Sequence, residues 1–460
     1  MRAIADPHHA LADGLAAIRR QYQVPESFPA EVLTAAGEAA RRVPSDHADR
    51  TNRPFVTLDP ASSTDLDQAL AIERSGVDLI LHYAIADVAW FVDDGGLIDA
   101  EAWRRGTTLY LPDGKAGLYP PSLSEGAASL LPDGDRAAVV FTVRIDPAGD
   151  VRLEGAERAL IRSRAKLAYE SAVDRDLPPD FAELSRRIEA AEAARGASRV
   201  DPPEQEVAPL GDGRYELLFR PMTQAEERNA SLSLAANLAI ADLLLANRTG
   251  LFRVMAEPGK KAVKRLRHSA RAIGLDWHPD LSLQDYERVL DPTDPKQAAF
   301  MLAIRRAGTS AGYMPFTDGV RPWHSAMAAT YVHATAPLRR LADRYVVMAA
   351  LAVANGRPVP DAASAAFPRL PTVMARADAR GSQVERAAID LAEAVMLQPR
   401  LGQVFSAVVT DIDERGARMQ LCELPVIARV DAAGLEAGDE ISVRLDVVDP
   451  ARRELRFARS

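Results

Sequence analysis

The chain has 460 residues, 47% of them apolar and 26% charged, with a formal net charge of −9 and a single cysteine, Cys422. That length exceeds one ordinary core and calls for two or three domains, or one large domain with appendages. One cysteine excludes an internal disulfide framework and a cysteine-built zinc site, and the acidic balance argues against a loosely basic DNA coat while leaving room for a local basic groove.

The opening "MRAIADPHHALADG" has no apolar segment of the kind a secretion signal needs, and the longest apolar run, "YVVMAALAVA" at 345–354, is half a membrane span. The expectation is a cytoplasmic protein with no membrane partner. Residues 10–22 and 29–42 read as amphipathic helices with the turn "VPESFP" between them, and "RVPSDHADRTNRP" reads as a linker. Residues 1–50 then form a small helical region, either helix-turn-helix-like or a packing arm. From residue 55 the pattern turns to strands: "FVTL", "ALAIE", a turn at "RSG", and a long strand over 77–92. A short helix at 97–106 stops at Gly106, "TTLYLPDG" is a strand running into a turn, and strands follow near 137–145 and 150–155. Helices are expected at 178–198, at 223–250 opened by the capping-box pair Thr223 and Glu226, from Pro337 to Asn355, and from Ser382 to Met396. After residue 400 short strands broken by Gly and Asp turns suggest an OB barrel. The fold class is therefore α+β: a mixed sheet with long helices over 51–400, and an all-β module over 401–460.

The stretch "FVTLDPASSTDLDQAL" at 55–70 concentrates Asp59, Asp65 and Asp67 beside a strand. Pro60 and the Ser/Thr cluster end that strand, and a five-residue loop folds back far enough to bring Asp65 towards Asp59. Asp65 and Asp67, two apart, share a side if extended. Like charges at ~4 Å repel by about 1 kcal/mol in water and several-fold more in a drier site, so such carboxylates either take up protons or share a cation. Oxygen ligands select Mg2+ or Mn2+, and an ion so held can activate water against phosphate esters. The alternative is a surface loop whose aspartates cap turns.

The blocks "FVTLDPASSTDLDQAL", "HYAIADVAWFV", "DAEAWRRGTTLYLP", "YPPSLS" and "SLLPDGDR", then "YVHATAPLRRLADRYV" at 331–346 and "VERAAIDLAEAV" at 384–395, resemble in order and spacing the catalytic domain of the ribonuclease II/R family. The C-terminal module looks like that family's RNA-binding OB domain, so the resemblance covers about residues 50–460. It implies an RNB-type catalytic domain and a Mg2+-dependent hydrolase (Mn2+ being the alternative ion). Such an enzyme digests single-stranded RNA processively from the 3′ end to nucleoside 5′-monophosphates, in RNA decay or processing.

Residue by residue, the resemblance places the metal aspartates on Asp59, Asp65 and Asp67, with Gln68 where the family has a fourth aspartate. An amide there can ligate through oxygen but adds no charge. Arg339 falls on the residue that steadies the phosphate, Arg340 beside it, Tyr110 on the aromatic that stacks on the 3′ base, and Glu385 on a glutamate near the terminal nucleotide. His333 is a further candidate, whereas His82 and Asp87 read as structural. The family's acidic pair in the long helix falls near "NAS" at 229–231, so no glutamate carries over, and Thr-Ser-Pro becomes Thr335-Ala336-Pro337. The family's leading cold-shock domains have no room in residues 1–50, which implies a more open RNA path.

From the residues alone, Pro337 with Arg339 and Arg340 in a first helical turn would make a phosphate site of free N–H groups, dipole and guanidinium groups; the alternative is an Arg339–Asp343 surface pair. Tyr110 is either a stacking platform or a core tyrosine, and Glu385 is either a site residue or the partner of Ser382 in a capping box. Arg452 and Arg453, with Arg456, read as a phosphate clamp or as strand-edge arginines, in a module whose aromatics are Phe405 and Phe457. No Gly-rich loop ending in Gly-Lys-Ser/Thr is present, so neither a nucleotide cofactor nor a motor is expected. A monomer is the expected state. An RNA-binding regulator with a weakened active site is the alternative to the nuclease, suggested by Gln68 and the absent glutamate pair.

Overall fold

The computed structural model describes the chain apart from residues 1–2, 5, 7–8, 133, 198–203, 212, 221, 292–293, 309 and 414 and the side chains of 204, 295 and 299. Two helices, α1 (Ala10–Gln21) and α2 (Ala30–Ala39), precede the first strands, β1 (Ala48–Asp49), β2 (Phe55–Asp59), β3 (Gln68–Ser75) and β4 (Asp78–Ala86). The run expected as one strand over 77–92 divides: β4 ends at Ala86, and Val88–Phe91 forms a helical turn, α3. The break falls at Asp87, whose buried carboxylate is held by His47 (3.2 Å) and Arg158 (2.8 Å). Next come α4 (Leu97–Arg105), the hairpin β5 (Leu109–Leu111) and β6 (Gly114–Ala116), and the long strands β7 (Arg136–Ile145), β8 (Val151–Ile161) and β9 (Ser163–Ala168). One seven-stranded sheet results, in the order β1-β8-β7-β4-β3-β2-β9. Its neighbours are antiparallel except at the margins, where β1–β8 and β2–β9 run parallel.

Helix α5 (Phe181–Ala194) stops short of the expected end at residue 198, which lies outside the described residues. The hairpin β10 (Glu204–Gly211) and β11 (Arg214–Arg220) leads to α6 (Gln224–Ala246). The capping box forms as its spacing predicts: the Glu226 N–H donates to Thr223 Oγ1 (3.2 Å) and the Thr223 N–H to Glu226 Oε2 (2.6 Å). Apolar over most of its length, α6 lies against α5, β7 and β8 as the central core helix. The chain continues through β12 (Leu251–Val254), α7 (Lys260–Ala272), α8 (Leu283–Glu287), α9 (Pro295–Ala307), β13 (Gly312–Pro315), α10 (Leu341–Ala354), α11 (Asp361–Ala366) and α12 (Leu370–Leu397).

Two expected helix starts are overturned. Helix α10 begins at Leu341, not at Pro337, because Arg340 is extended (φ −128°, ψ 122°) and bridges to Thr107. Helix α12 begins at Leu370, so Ser382 is interior and caps nothing. The missed start signal is Pro371, a proline in the first turn, where a missing N–H costs little. Helix α12 is a spine: α1, β5, β10 and the C-terminal strands all pack on it.

The last five strands, β14 (Val404–Asp413), β15 (Gly416–Leu421), β16 (Ile427–Val430), β17 (Glu440–Asp449) and β18 (Glu454–Arg459), make a nearly closed, OB-like barrel in the order β16-β15-β14-β17-β18. Phe405 and Phe457 meet edge to face inside it, ring centres 6.3 Å apart, so neither offers a free ring to a ligand.

Candidate active site

Three carboxylates arrive on one broken strand. Strand β2 ends at Asp59, Pro60 cannot continue the ladder, and the loop returns to start β3 at Gln68. The loop is pinned on both sides. Lys166 donates to the carbonyls of Ala61 (2.8 Å) and Ser63 (2.5 Å), while the Ser129 hydroxyl donates to Thr64 O (2.7 Å) and accepts from the Leu66 N–H (2.9 Å). Asp67, only 4% exposed, accepts the Leu338 N–H at Oδ1 (2.7 Å) and faces Arg339 Nε from Oδ2 (3.2 Å). Asp59 Oδ2 is buried with no hydrogen-bond partner among the described residues. Asp65 receives Lys115 Nζ at 2.7 Å.

Burial decides the protonation of the two inner carboxyls. It pushes Asp59 up to about 6 and Asp67 up to about 7, outweighing the opposing pull of Arg339, and Asp65 adds repulsion to both. The pair is thus short of positive charge as it stands.

The arginine segment differs from the sequence expectation. Pro337, Leu338 and Arg339 lie ahead of α10, and the N–H groups that a phosphate would have used go to carboxylates: Ala336 donates to Asp343 (2.8 Å) and Leu338 to Asp67. A helix-terminus phosphate site is therefore not what this segment forms. Its backbone is clamped instead, because Arg339 O accepts from both the Thr108 N–H (3.0 Å) and the Thr107 hydroxyl (2.7 Å). The Arg339 side chain stays 46% exposed. Arg340, not Arg339, pairs with Asp343 (3.0 and 2.7 Å), and Asp343 is fully buried, so Arg340 is a strut under the loop. His333 is part of the same support. Its Nδ1 meets Tyr313 OH at 2.9 Å between the rings of Tyr313 and Tyr331, and burial holds it neutral, well below the usual histidine range.

Tyr110 leaves the clamp on β5, opposite Lys115 on β6, and the residue is 54% exposed rather than packed in the core. The approach is fixed by Gly106, whose φ of +76° and close neighbour (a Cβ would stand 2.8 Å from Ala377 Cβ) admit no side chain. Tyr110, Asp65, Lys115, Tyr215 and Glu385 line one open cleft of about 740 Å³. Glu385 projects into it from the middle of α12, so its capping-box explanation does not hold. Gln68 opens β3 directly after Asp67, and its Oε1 accepts the hydroxyl of Tyr83 (2.5 Å), a buried ring close enough to Asp59 to feel its charge. Arg452 and Arg453 lie in a different cavity.

Sequence reasoning missed Lys115, Tyr169 and Asn229. The parallel pairing of β2 with β9 puts Tyr169 beside Asp59: its N–H donates to Asp59 O (3.1 Å), and its hydroxyl accepts from Asn229 Nδ2 (2.8 Å). Asn229, 4% exposed, keeps Oδ1 without a partner among the described residues. In the sequence, residues 229–231 stand out only for the glutamates they lack, and no local pattern announces a parallel strand contact more than a hundred residues away.

A hard divalent cation suits this donor set: oxygen ligands only, two carboxyls that burial leaves short of charge, and one orphaned carboxylate oxygen. Among the described residues no three acidic, histidine or cysteine side chains stand close enough to hold an ion as they are. Asp65 is drawn to Lys115 and Asp67 to Arg339, so ligation requires side-chain rotation, Asp65 leaving Lys115.

Comparison with known proteins adds three findings. Residues 47–354 match the model of the RNB domain, and residues 403–460 match that of the RNase II-type exonuclease C-terminal S1 domain. The chain is similar to Ribonuclease R of Thermotoga maritima, 25% identical over 454 residues that cover 91% of this chain and 63% of that protein. It thus spans less than two thirds of the length of that curated relative. Among solved structures it is similar to Mycoplasma genitalium RNase R in complex with ribose methylated single-stranded RNA (TM-score 0.87, 20% identity, 100% of this chain and 79% of that one). It is also similar to the same protein in complex with double-stranded RNA (TM-score 0.83, 21% identity, 100% and 85%). These likenesses establish a shared fold.

Proposed function

The chain belongs to the RNB-domain family, and we propose that it is a metal-dependent exoribonuclease that shortens single-stranded RNA from the 3′ end, processively, to nucleoside 5′-monophosphates. The observation that carries this reading is the pairing of charge-starved carboxyls with a half-exposed arginine: Asp59 and Asp67 face Arg339, and the cleft beyond holds Tyr110 and Glu385. Mg2+, or Mn2+ in its place, would be held by Asp59, Asp65 and Asp67. When bound, the ion supplies an activated water and neutralises charge on the phosphate oxygens.

The chain's own groups do the rest. Arg339, its backbone fixed by Thr107 and Thr108, donates to the non-bridging oxygens of the terminal phosphate as charge develops there. The Tyr110 ring stacks on the terminal base, a contact worth ~1–3 kcal/mol that tolerates every base. Gln68 would offer the ion an uncharged amide oxygen beside the aspartates, one that Tyr83 holds by its hydroxyl. The proposed setting is a cytoplasmic monomer acting in RNA decay or processing.

The test is digestion of a 5′-labelled RNA carrying a hairpin and a 3′ overhang, with Mg2+ and with chelator. Release of mononucleotides and a ladder that shortens from the 3′ end, lost with chelator and in Asp67→Asn, are expected. RNA bound by the wild-type protein with no product released would instead identify an RNA-binding regulator of the same fold.

A further inference from the structure

Strand β4 sets a buried tyrosine beside the first residue of β3. Gln68 pairs with Ile85 across the antiparallel ladder, and Tyr83, two residues from Ile85 along β4, shares their face. Tyr83 is fully buried, and its hydroxyl donates to Gln68 Oε1 (2.5 Å). The same hydroxyl has a second partner, Ser233 on α6. Ser233 Oγ stands 3.1 Å from Thr335 Oγ1. Asn237, one helical turn further along α6, donates from Nδ2 to Ser233 Oγ at 3.4 Å, and its Oδ1 accepts the Ala334 N–H at 2.9 Å. A polar chain thus crosses the core, from the segment that leads to Arg339 to the residue that follows Asp67. Tyr83, Asn237 and Thr335 are all buried, so bulk water does not supply substitute partners.

The chain has a direction. A backbone N–H can only donate, so Ala334 holds the oxygen end of the Asn237 amide and leaves its NH2 end for Ser233. Ser233 accepts there and gives its own proton to Tyr83, and Tyr83 gives its proton to Gln68. The last acceptor in such a sequence is an oxygen. That oxygen has two lone pairs, and Tyr83 uses one of them. A carboxylate presents oxygen at both ends and needs no such help. An amide does need it, because its NH2 end would repel a cation.

We propose that Tyr83 is a positioning residue for the metal site: through a hydrogen-bond chain anchored on the Ala334 N–H, it keeps the oxygen end of the Gln68 amide available to a divalent cation shared by Asp59, Asp65 and Asp67. The inference rests on the metal-dependent reading above. It adds the device by which a neutral amide serves where the sequence resemblance places a fourth aspartate. It also assigns a task to polar groups that the proposed chemistry leaves unused, since Ser233 and Asn237 on α6 touch neither the cleft nor the aspartates directly. Partners of this outer kind orient a ligand without binding the ion, and their loss typically lowers metal affinity tenfold or more.

The test is Mn2+ uptake by the full chain, read by loss of the free-ion magnetic resonance signal, in a double-mutant cycle. Tyr83→Phe, which keeps the ring and its packing, is measured alone, with Gln68→Glu and with Gln68→Ala. With Gln68 in place, Tyr83→Phe should weaken uptake about tenfold. Glutamate offers oxygen at either end and alanine offers nothing to orient, so in those two backgrounds the same change should move uptake by less than about twofold. The alanine background keeps the cycle readable if the added glutamate charge disturbs folding. Uptake by Tyr83→Phe equal to that of the wild type overturns the proposal. So does a loss of the same size in all three backgrounds, which would make Tyr83 a packing residue. Wild-type protein that takes up no Mn2+ overturns the metal-dependent reading itself.

Discussion

Asp67→Asn, studied without metal, isolates the cost of placing a carboxylate at the base of the cleft. Burial raises the Asp67 carboxyl from 3.8 to about 7 despite Arg339 and the Leu338 N–H, which spans roughly three decades in proton affinity. At about 1.4 kcal/mol per decade, the ionised form destabilises the fold by on the order of 4 kcal/mol once the pH exceeds 7. The direction follows from the folded value lying above the unfolded one. The folded chain binds the proton more tightly between pH 4 and 7, so stability falls as pH rises through that window and levels off above it. Asparagine keeps the Leu338 hydrogen bond and never ionises, and its own offset does not depend on pH. The stability of the variant minus that of the wild type should therefore grow by about 3 kcal/mol between pH 4.5 and 8. Urea titrations followed by tryptophan fluorescence in chelator measure it. A difference that stays flat, or shrinks with pH, would mean that the Arg339 pair outweighs burial, and the reasoning would fail.

The other expectations concern the same cleft. Arg339→Ala should lower kcat on single-stranded RNA by about 10²–10³ with a much smaller change in KM, and lysine should recover part of it. Tyr110→Ala should weaken binding of a short oligonucleotide by ~1–3 kcal/mol, while Tyr110→Phe, which keeps the ring, should bind as the wild type does. Lys115→Met frees Asp65 of its ammonium partner and should lower the Mg2+ concentration needed for half-maximal activity. Asn237→Ala strands the buried Ala334 N–H, bonded to Asn237 Oδ1 at 2.9 Å, and should cost about 1–3 kcal/mol in a thermal or urea melt.

Local rules carried the sequence reading where the determinant is local. Thr223 and Glu226 three apart announce a helix start that forms as expected, and Pro60 after a β run marks the break that assembles the aspartates. Regular strand breaks after residue 400 announce the OB-like barrel. Failures came where a distant partner decides. Pro337 promises a helix, but the Thr107–Thr108 clamp on Arg339 and the bridge at Arg340 hold the segment extended until Leu341. Ser382 and Glu385 have capping spacing inside a helix already under way since Leu370. Tyr169 and Asn229 reach Asp59 through a parallel strand contact that no motif encodes.

Binding of Mn2+ to the full chain, read by the loss of its free-ion magnetic resonance signal, bears most directly on the central claim. The account predicts that the wild-type protein takes up the ion and that Asp65→Asn and Asp67→Asn each weaken uptake at least tenfold, with protons released near pH 6.5 as Asp59 and Asp67 ionise onto the metal. Uptake identical in all three proteins, with no proton release, would contradict it.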